Sequence, residues 1–270
     1  MKRVRVLTIT DIHQRKWMYE ALEQAVGLHK PDVLCLVGDF LCGGFERSGY
    51  LSESECAARL AALPCEVVFA RGNHEMENWE PFARQWMRTG RTLNTPHGDA
   101  TVIGPLVVVG FPCTYGNEEY FLMGKPDVEM DPAVWMPQIL EQHGRAARTL
   151  WLLHEPPAYT KLCAEEGLMT GVDEWAEAIE RYQPWLTISG HDHFSPIANK
   201  CWHDQIGRSL CINAGQPGDS MKELRKLHFC VIDLKFSGDE PSLPERVSVT
   251  AYPWNETLVL PDGKQLEPAP

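Results

Sequence analysis

The sequence predicts an α/β fold: a largely parallel β-sheet covered by helices, followed by antiparallel strands that complete a second sheet. Three observations carry this. Short apolar runs rich in β-branched residues recur before residue 190, segments of helical period separate several of them, and from about Phe194 strand-like runs follow one another without clear helices.

The first run, "VRVLTIT" at 4–10, leads into "KWMYEALEQAVGLH", whose period places Trp17, Ala21, Leu22, Ala25 and Leu28 on one helix face. The second, "DVLCLVG" at 32–38, precedes "SESECAARLAAL", where Ser52 with Glu55 three residues on forms a capping-box pattern. Runs at 65–70, 106–111 and 149–154 follow, and the helical "VDEWAEAIERY" precedes the sixth run, "WLTISG" at 185–190. In the tail, "SLCIN", "HFCVIDLKF" and "ERVSVTAY" read as strands. Residues 194–270 are therefore expected to finish the second sheet of a single domain spanning 1–270. The aperiodic segment 112–132 is too long for a routine connection and reads as a substrate-facing lid or as decoration.

With 270 residues the chain can bury a sizeable core, and 44% apolar against 23% charged residues excludes disorder. A formal charge of −12, with no cluster of lysine and arginine, argues against a nucleic-acid partner. The apolar run in "MKRVRVLTITD" is too short for a signal peptide, and no later stretch is long enough to span a membrane. The nine cysteines include no CxxC pair and several sit inside apolar runs, so most of them read as buried free thiols of a reducing, cytoplasmic compartment.

The polar residues at the ends of five runs carry the functional signal. The first run ends in "TDIH" (Asp11, His13), the second in "GDF" (Asp39), and the third runs into "RGNHE" (Arg71, Asn73, His74, Glu75). The run at 149–154 ends in His154, and that at 185–190 in "HDH" (His191, Asp192, His193). Ligands bind at the carboxyl ends of strands in an open α/β sheet, so these residues are expected at one sheet edge. One Asp after a strand is an ordinary cap, and His29, His97, His143, His203 and His228 read as surface or hydrogen-bonded core. Five of the ten histidines falling together at strand ends is a different matter. Glycines before Asp39, Asn73 and His191 suit turns where the backbone comes close to something.

A mixture of carboxylate, imidazole and amide suits Mn, Fe or Zn better than calcium. Two such cations about 3.5–4 Å apart need a bridging carboxylate and can activate a bridging water as hydroxide. A neighbouring histidine outside the ligand set is then suited to protonate the leaving alkoxide.

The ordered set "DIH", "GD", "GNHE", "H" and "GHDH" over positions 11–193 resembles the calcineurin-like metallophosphoesterases. The resemblance implies a four-layer α/β/β/α sandwich of two mixed sheets with a dinuclear site at one sheet edge. It assigns one metal to Asp11, His13, Asp39 and His193 and the second to Asp39, Asn73, His154 and His191, with Asp39 bridging. His74 becomes the general acid or a phosphate contact, Glu75 is not expected to be a ligand, and Asp192 occupies a variable position. Arg71 resembles the phosphate-gripping arginine of the Ser/Thr protein phosphatase branch; its alternative is a surface arginine at a strand end. That branch reads GDxxDRG where this chain reads "GDFLCGG". Cys42 thus stands where the acid that supports the catalytic histidine is expected, and a protein phosphatase is disfavoured. "HEPP" (154–157) and "INAGQPG" (212–218) resemble turns of small phosphodiesterases and nucleotidases.

The expected activity is hydrolysis of a small phosphodiester by attack of the metal-bridging hydroxide. The alternatives are a phosphomonoesterase or nucleotidase, or a non-catalytic scaffold of the same fold. Substrate choice is expected from loops 41–52 and 112–132, where Tyr115, Tyr120 and Phe121 either stack on a base or pack beneath the loop.

Overall fold

Strands whose residues alternate between two apolar environments build the interior. In β2 (Val33–Val37), Val33, Cys35 and Val37 face one core while Leu34 and Leu36 face another. β1 (Lys2–Ile9) behaves likewise, with Val4 and Val6 on one side and Leu7 and Ile9 on the other. Burial on both faces explains why β2 reads as continuously apolar and why β1 becomes mainly apolar from Val6 onward. The computed structural model describes residues 1–42, 48–75, 78–96, 99–111, 132–143, 149–165, 170–217, 226–238 and 244–260. Most of segment 112–132, with Tyr115, Tyr120 and Phe121, lies outside them, as do His97 and residues 43–47.

α1 (Lys16–His29) links β1 to β2, and α2 (Glu53–Ala61) precedes β3 (Glu66–Ala70). α3 (Trp79–Arg88), β4 (Ala100–Ile103), β5 (Leu106–Phe111), α4 (Pro132–His143) and β6 (Thr149–Leu153) follow. Next come α5 (Asp173–Tyr182), β7 (Leu186–Ile188), α6 (Ser195–Ala198), β8 (His203–Ile206) and β9 (Ser209–Ile212). β10 (Phe229–Phe236), β11 (Arg246–Tyr252) and β12 (Glu256–Leu260) complete the order. One six-stranded sheet runs β12-β11-β10-β1-β2-β3 and the other β4-β5-β6-β7-β9-β8. β1–β3 are mutually parallel, as are β5, β6, β7 and β9; the remaining pairs are antiparallel, so both sheets are mixed.

Val6, Val37, Leu152, Ile188 and Ile232 share the core between the sheets. A second core lies under α1–α3, and a third gathers residues of α4 and α5 on the other sheet. The layers are thus α/β/β/α.

Three expectations change. The tail divides between the sheets: β8 and β9 close the second, but β10–β12 extend the first. β10 returns along the free edge of β1, where Arg5 pairs opposite Asp233 and binds its carboxylate at 2.8 Å. The helical face of α1 is turned by about one position, with Met18, Tyr19, Leu22, Ala25 and Val26 buried and Leu28 76% exposed. The Tyr19 hydroxyl, donating to Phe40 O at 3.0 Å, fixes that rotation. The site edge also belongs to two sheets rather than one, because β1–β3 and β6–β7 end at the same place. The capping box of α2 forms as expected, and the eight described cysteines are free thiols, six of them buried.

Candidate metal centre

The turns that follow β1, β2 and β7 hold the backbone in an unfavourable conformation. Asp11, His13, Gln14, Asp39 and His191 all have φ between 45° and 62°. L-residues adopt that region at a cost of order 1–3 kcal/mol each, and they keep it only where the surroundings impose it. Here the turns impose it on each other: the amides of Asp11, His13 and Gln14 donate to the carbonyls of Gly38, Asp39 and Phe40 at 3.1, 2.8 and 3.0 Å. Close approach also explains the glycines. A Cβ on Gly190 would meet Thr10 Oγ1 and Asp11 Oδ2, and one on Gly72 would meet the Asp39 carboxylate.

The side chains projecting from these turns form two groups of lone-pair donors. In the first, His13 Nε2 lies 3.2 Å from His193 Nε2, which is 3.4 Å from Asp11 Oδ1, and Asp39 Oδ2 is 4.0 Å from His13 Nε2. In the second, Asn73 Oδ1 lies 2.9 Å from His154 Nε2 and 3.2 Å from His191 Nδ1, with Asp39 Oδ1 3.4 Å from His154 Nε2. Asp39 thus turns one oxygen to each group. So many acceptor-capable atoms facing inward repel one another unless protons or cations lie among them. The mixture of imidazole, carboxylate and amide fits a borderline transition metal. Asp11 with His13 and His193, and Asp39 with His154 and His191, each form a group able to hold an ion.

The electrostatics agree with such a cradle. Burial works to raise the Asp11 carboxyl, but the facing His193 overrides it and leaves it lowered to about 2. Burial likewise opposes ionisation of Asp39, and His154 and then His13 hold it far below the usual carboxylate range. Burial lowers His13 and His191 to about 4, keeping their lone pairs available at neutral pH. His154 goes the other way, to about 10, because Asp39 outweighs the burial that would lower it.

All seven candidate ligands fall in these two groups. His74 stands at their edge, 37% exposed in its side chain, with Nε2 3.8 Å from Asp39 Oδ2 and its ring edge-on to His13. Arg71 is half-buried at the end of β3, with its guanidinium carbon 5.5 Å from the centre of the Trp79 ring, so it is not a plain surface arginine.

Sequence reasoning missed the residues that hold the turns from behind. Glu75 is fully buried and accepts from the amides of Asp39, Leu41 and Gly72 at 2.8, 2.7 and 2.5 Å. Burial and then the Asp39 carboxylate push its carboxyl up to about 8, against the opposing pull of the amides. Asp192 is buried too, and its Oδ1 accepts from the amides of Phe194 and Ser195, so the aspartate between the two histidines shapes the turn. Asn213 donates from Nδ2 to the carbonyls of Gly190 and Asp192, both at 3.2 Å. "INAGQPG" was the available signal for Asn213; for Glu75 it was its place in "GNHE", and neither spells out a hydrogen bond.

The model of the calcineurin-like phosphoesterase family matches residues 4–195. No curated protein sequence matches the chain significantly. Among solved structures, the protein TT1561 of Thermus thermophilus superposes with a TM-score of 0.59 at 13% identity, covering 97% of this chain and 100% of its own. A dimetal phosphatase from Danio rerio gives 0.59 at 13% identity, covering 96% and 99%. The anchor in the inner membrane complex of Plasmodium gives 0.50 at 10%, covering 99% and 91%. At these identities the structures speak for the fold alone. The family model spans most of the chain and all seven candidate ligands, and on that ground the chain belongs to the calcineurin-like phosphoesterases.

Proposed function

We propose that this chain is a dinuclear metal-dependent hydrolase of small phosphodiesters, working as a single domain. The observation that supports it best is Asp39, whose Oδ1 faces His154 and whose Oδ2 faces His13 and His74. A carboxylate so placed is what a bridging ligand requires. Asp11, His13, Asp39 and His193 would hold one ion, and Asp39, Asn73, His154 and His191 the other, with Mn, Fe or Zn fitting the donors. Bound there, the ions would neutralise phosphoryl charge and activate water at neutral pH.

The protein's own groups supply the rest. His74, exposed enough to meet a ligand, donates a proton to the leaving oxygen. Arg71, oriented by Trp79, contacts a non-bridging phosphoryl oxygen. The interlocked turns keep the donors preorganised, so little reorganisation accompanies the reaction. Free thiols throughout the described residues support a reducing, cytoplasmic setting. No helix among the described residues is long and apolar enough to cross a membrane.

The test is turnover of bis(p-nitrophenyl) phosphate beside p-nitrophenyl phosphate by metal-stripped protein reloaded with Mn, Fe, Zn or Mg. Preferential hydrolysis of the diester, abolished by Asn73→Ala, is the expected result. Turnover of the monoester alone would make it a phosphomonoesterase or nucleotidase, and none with any metal would favour a scaffold.

A further inference from the structure

We propose that Glu75, which is no candidate ligand, is the positioning residue that fixes the bridging carboxylate of Asp39. This role rests on the dinuclear reading above. Its basis is an exchange of side-chain oxygens between two turns. The turn after β2 offers Asp39 Oδ1 to the amide of His74 at 2.9 Å. The turn after β3 returns Glu75, whose Oε2 accepts from the Asp39 amide at 2.8 Å and the Gly72 amide at 2.5 Å, and whose Oε1 accepts from Leu41 at 2.7 Å. Each turn therefore holds the other through a side chain and a backbone group.

Glu75 has no solvent exposure, so water cannot replace these bonds. Gly72 has no Cβ, which lets its turn lie directly against the Asp39 carboxylate. The outcome is that Asp39, at φ 50, is oriented by three amides converging on one buried acid. Outer partners of this kind typically govern about 10–100-fold in metal affinity or activity.

Glu75→Gln keeps the size of the side chain but sets an NH2 group against amide donors. Calorimetric titration of the stripped protein with Mn is expected to give two tight sites in the wild type and at least tenfold weaker binding in Glu75→Gln. In the cobalt-loaded protein the variant should shift the visible absorption bands. At saturating metal kcat for bis(p-nitrophenyl) phosphate should fall while KM stays within about twofold, the signature of a misplaced metal bridge rather than a lost substrate contact. Equal affinity and unchanged spectra in the variant would overturn the proposal. A wild type that binds no metal would instead sink the dinuclear reading on which it rests. Should the variant fail to fold, hydrogen exchange on the unaltered protein decides: the amides of Asp39, Leu41 and Gly72 should exchange as slowly as those of β2, and rapid exchange would contradict the clasp.

Discussion

His74 and Asp39 show how differently two residues of one cluster can be tested. Asp39 is buried and shared, so replacing it perturbs both halves of the cradle at once. His74 is half-exposed, and its proposed work is confined to one proton. His74→Ala should therefore slow alkyl phosphodiesters by roughly 10²–10⁴-fold, the usual worth of general acid catalysis. Esters with a p-nitrophenoxide leaving group, which need little protonation, should lose far less. Equal losses on both, read from kcat in parallel assays, would remove the proton from His74. The seven candidate ligands and His74 were legible because their chemistry is written in residue type and order. The clasp was not, since a Glu following a His carries no mark of which amides it will meet.

At the scale of elements, the parallel strands were readable where both faces are buried, because β1, β2, β3, β5, β6 and β7 leave short runs dominated by apolar and β-branched residues. β4, β8 and β12 were missed: they are short edge strands with half-exposed patterns that no periodicity separates from loop. The destination of β10 was also hidden, for pairing with β1 depends on which edge is free. The Arg3–Asp233–Arg5 cluster marks that pairing, with Nη2 of Arg3 and Nε of Arg5 both 2.8 Å from Asp233 Oδ1. Burial opposes ionisation of Asp233, but its bonds to Arg5 and Arg3 prevail and lower the carboxyl. A carboxyl depressed on folding stabilises the fold above its unfolded value near 3.9, and that contribution is lost as pH falls through the folded value. Asp233→Asn should thus cost about 1 kcal/mol at pH 7, a modest figure because the group is a third exposed. In chemical denaturation followed from pH 7 downward, the difference should shrink as pH falls below the unfolded value near 3.9. A difference independent of pH would mean that packing, and not charge, is what the substitution removed.

For the whole molecule, two mixed sheets share one apolar core and bring the carboxyl ends of five parallel strands to a common edge. The sequence pattern implied one such edge but not that two sheets form it, since periodicity says which residues are buried and not which sheet lies opposite. The consequence is that each proposed metal takes ligands from both sheets, so metal binding should tie the two halves together. Whether Asp39 bridges two ions can be read by counting metal per chain, by mass spectrometry of protein loaded with Mn and desalted, for the wild type and Asp39→Asn. Two equivalents in the wild type and one or none in the variant are the predicted result; a wild type that retains at most one, or a variant that still retains two, would contradict it.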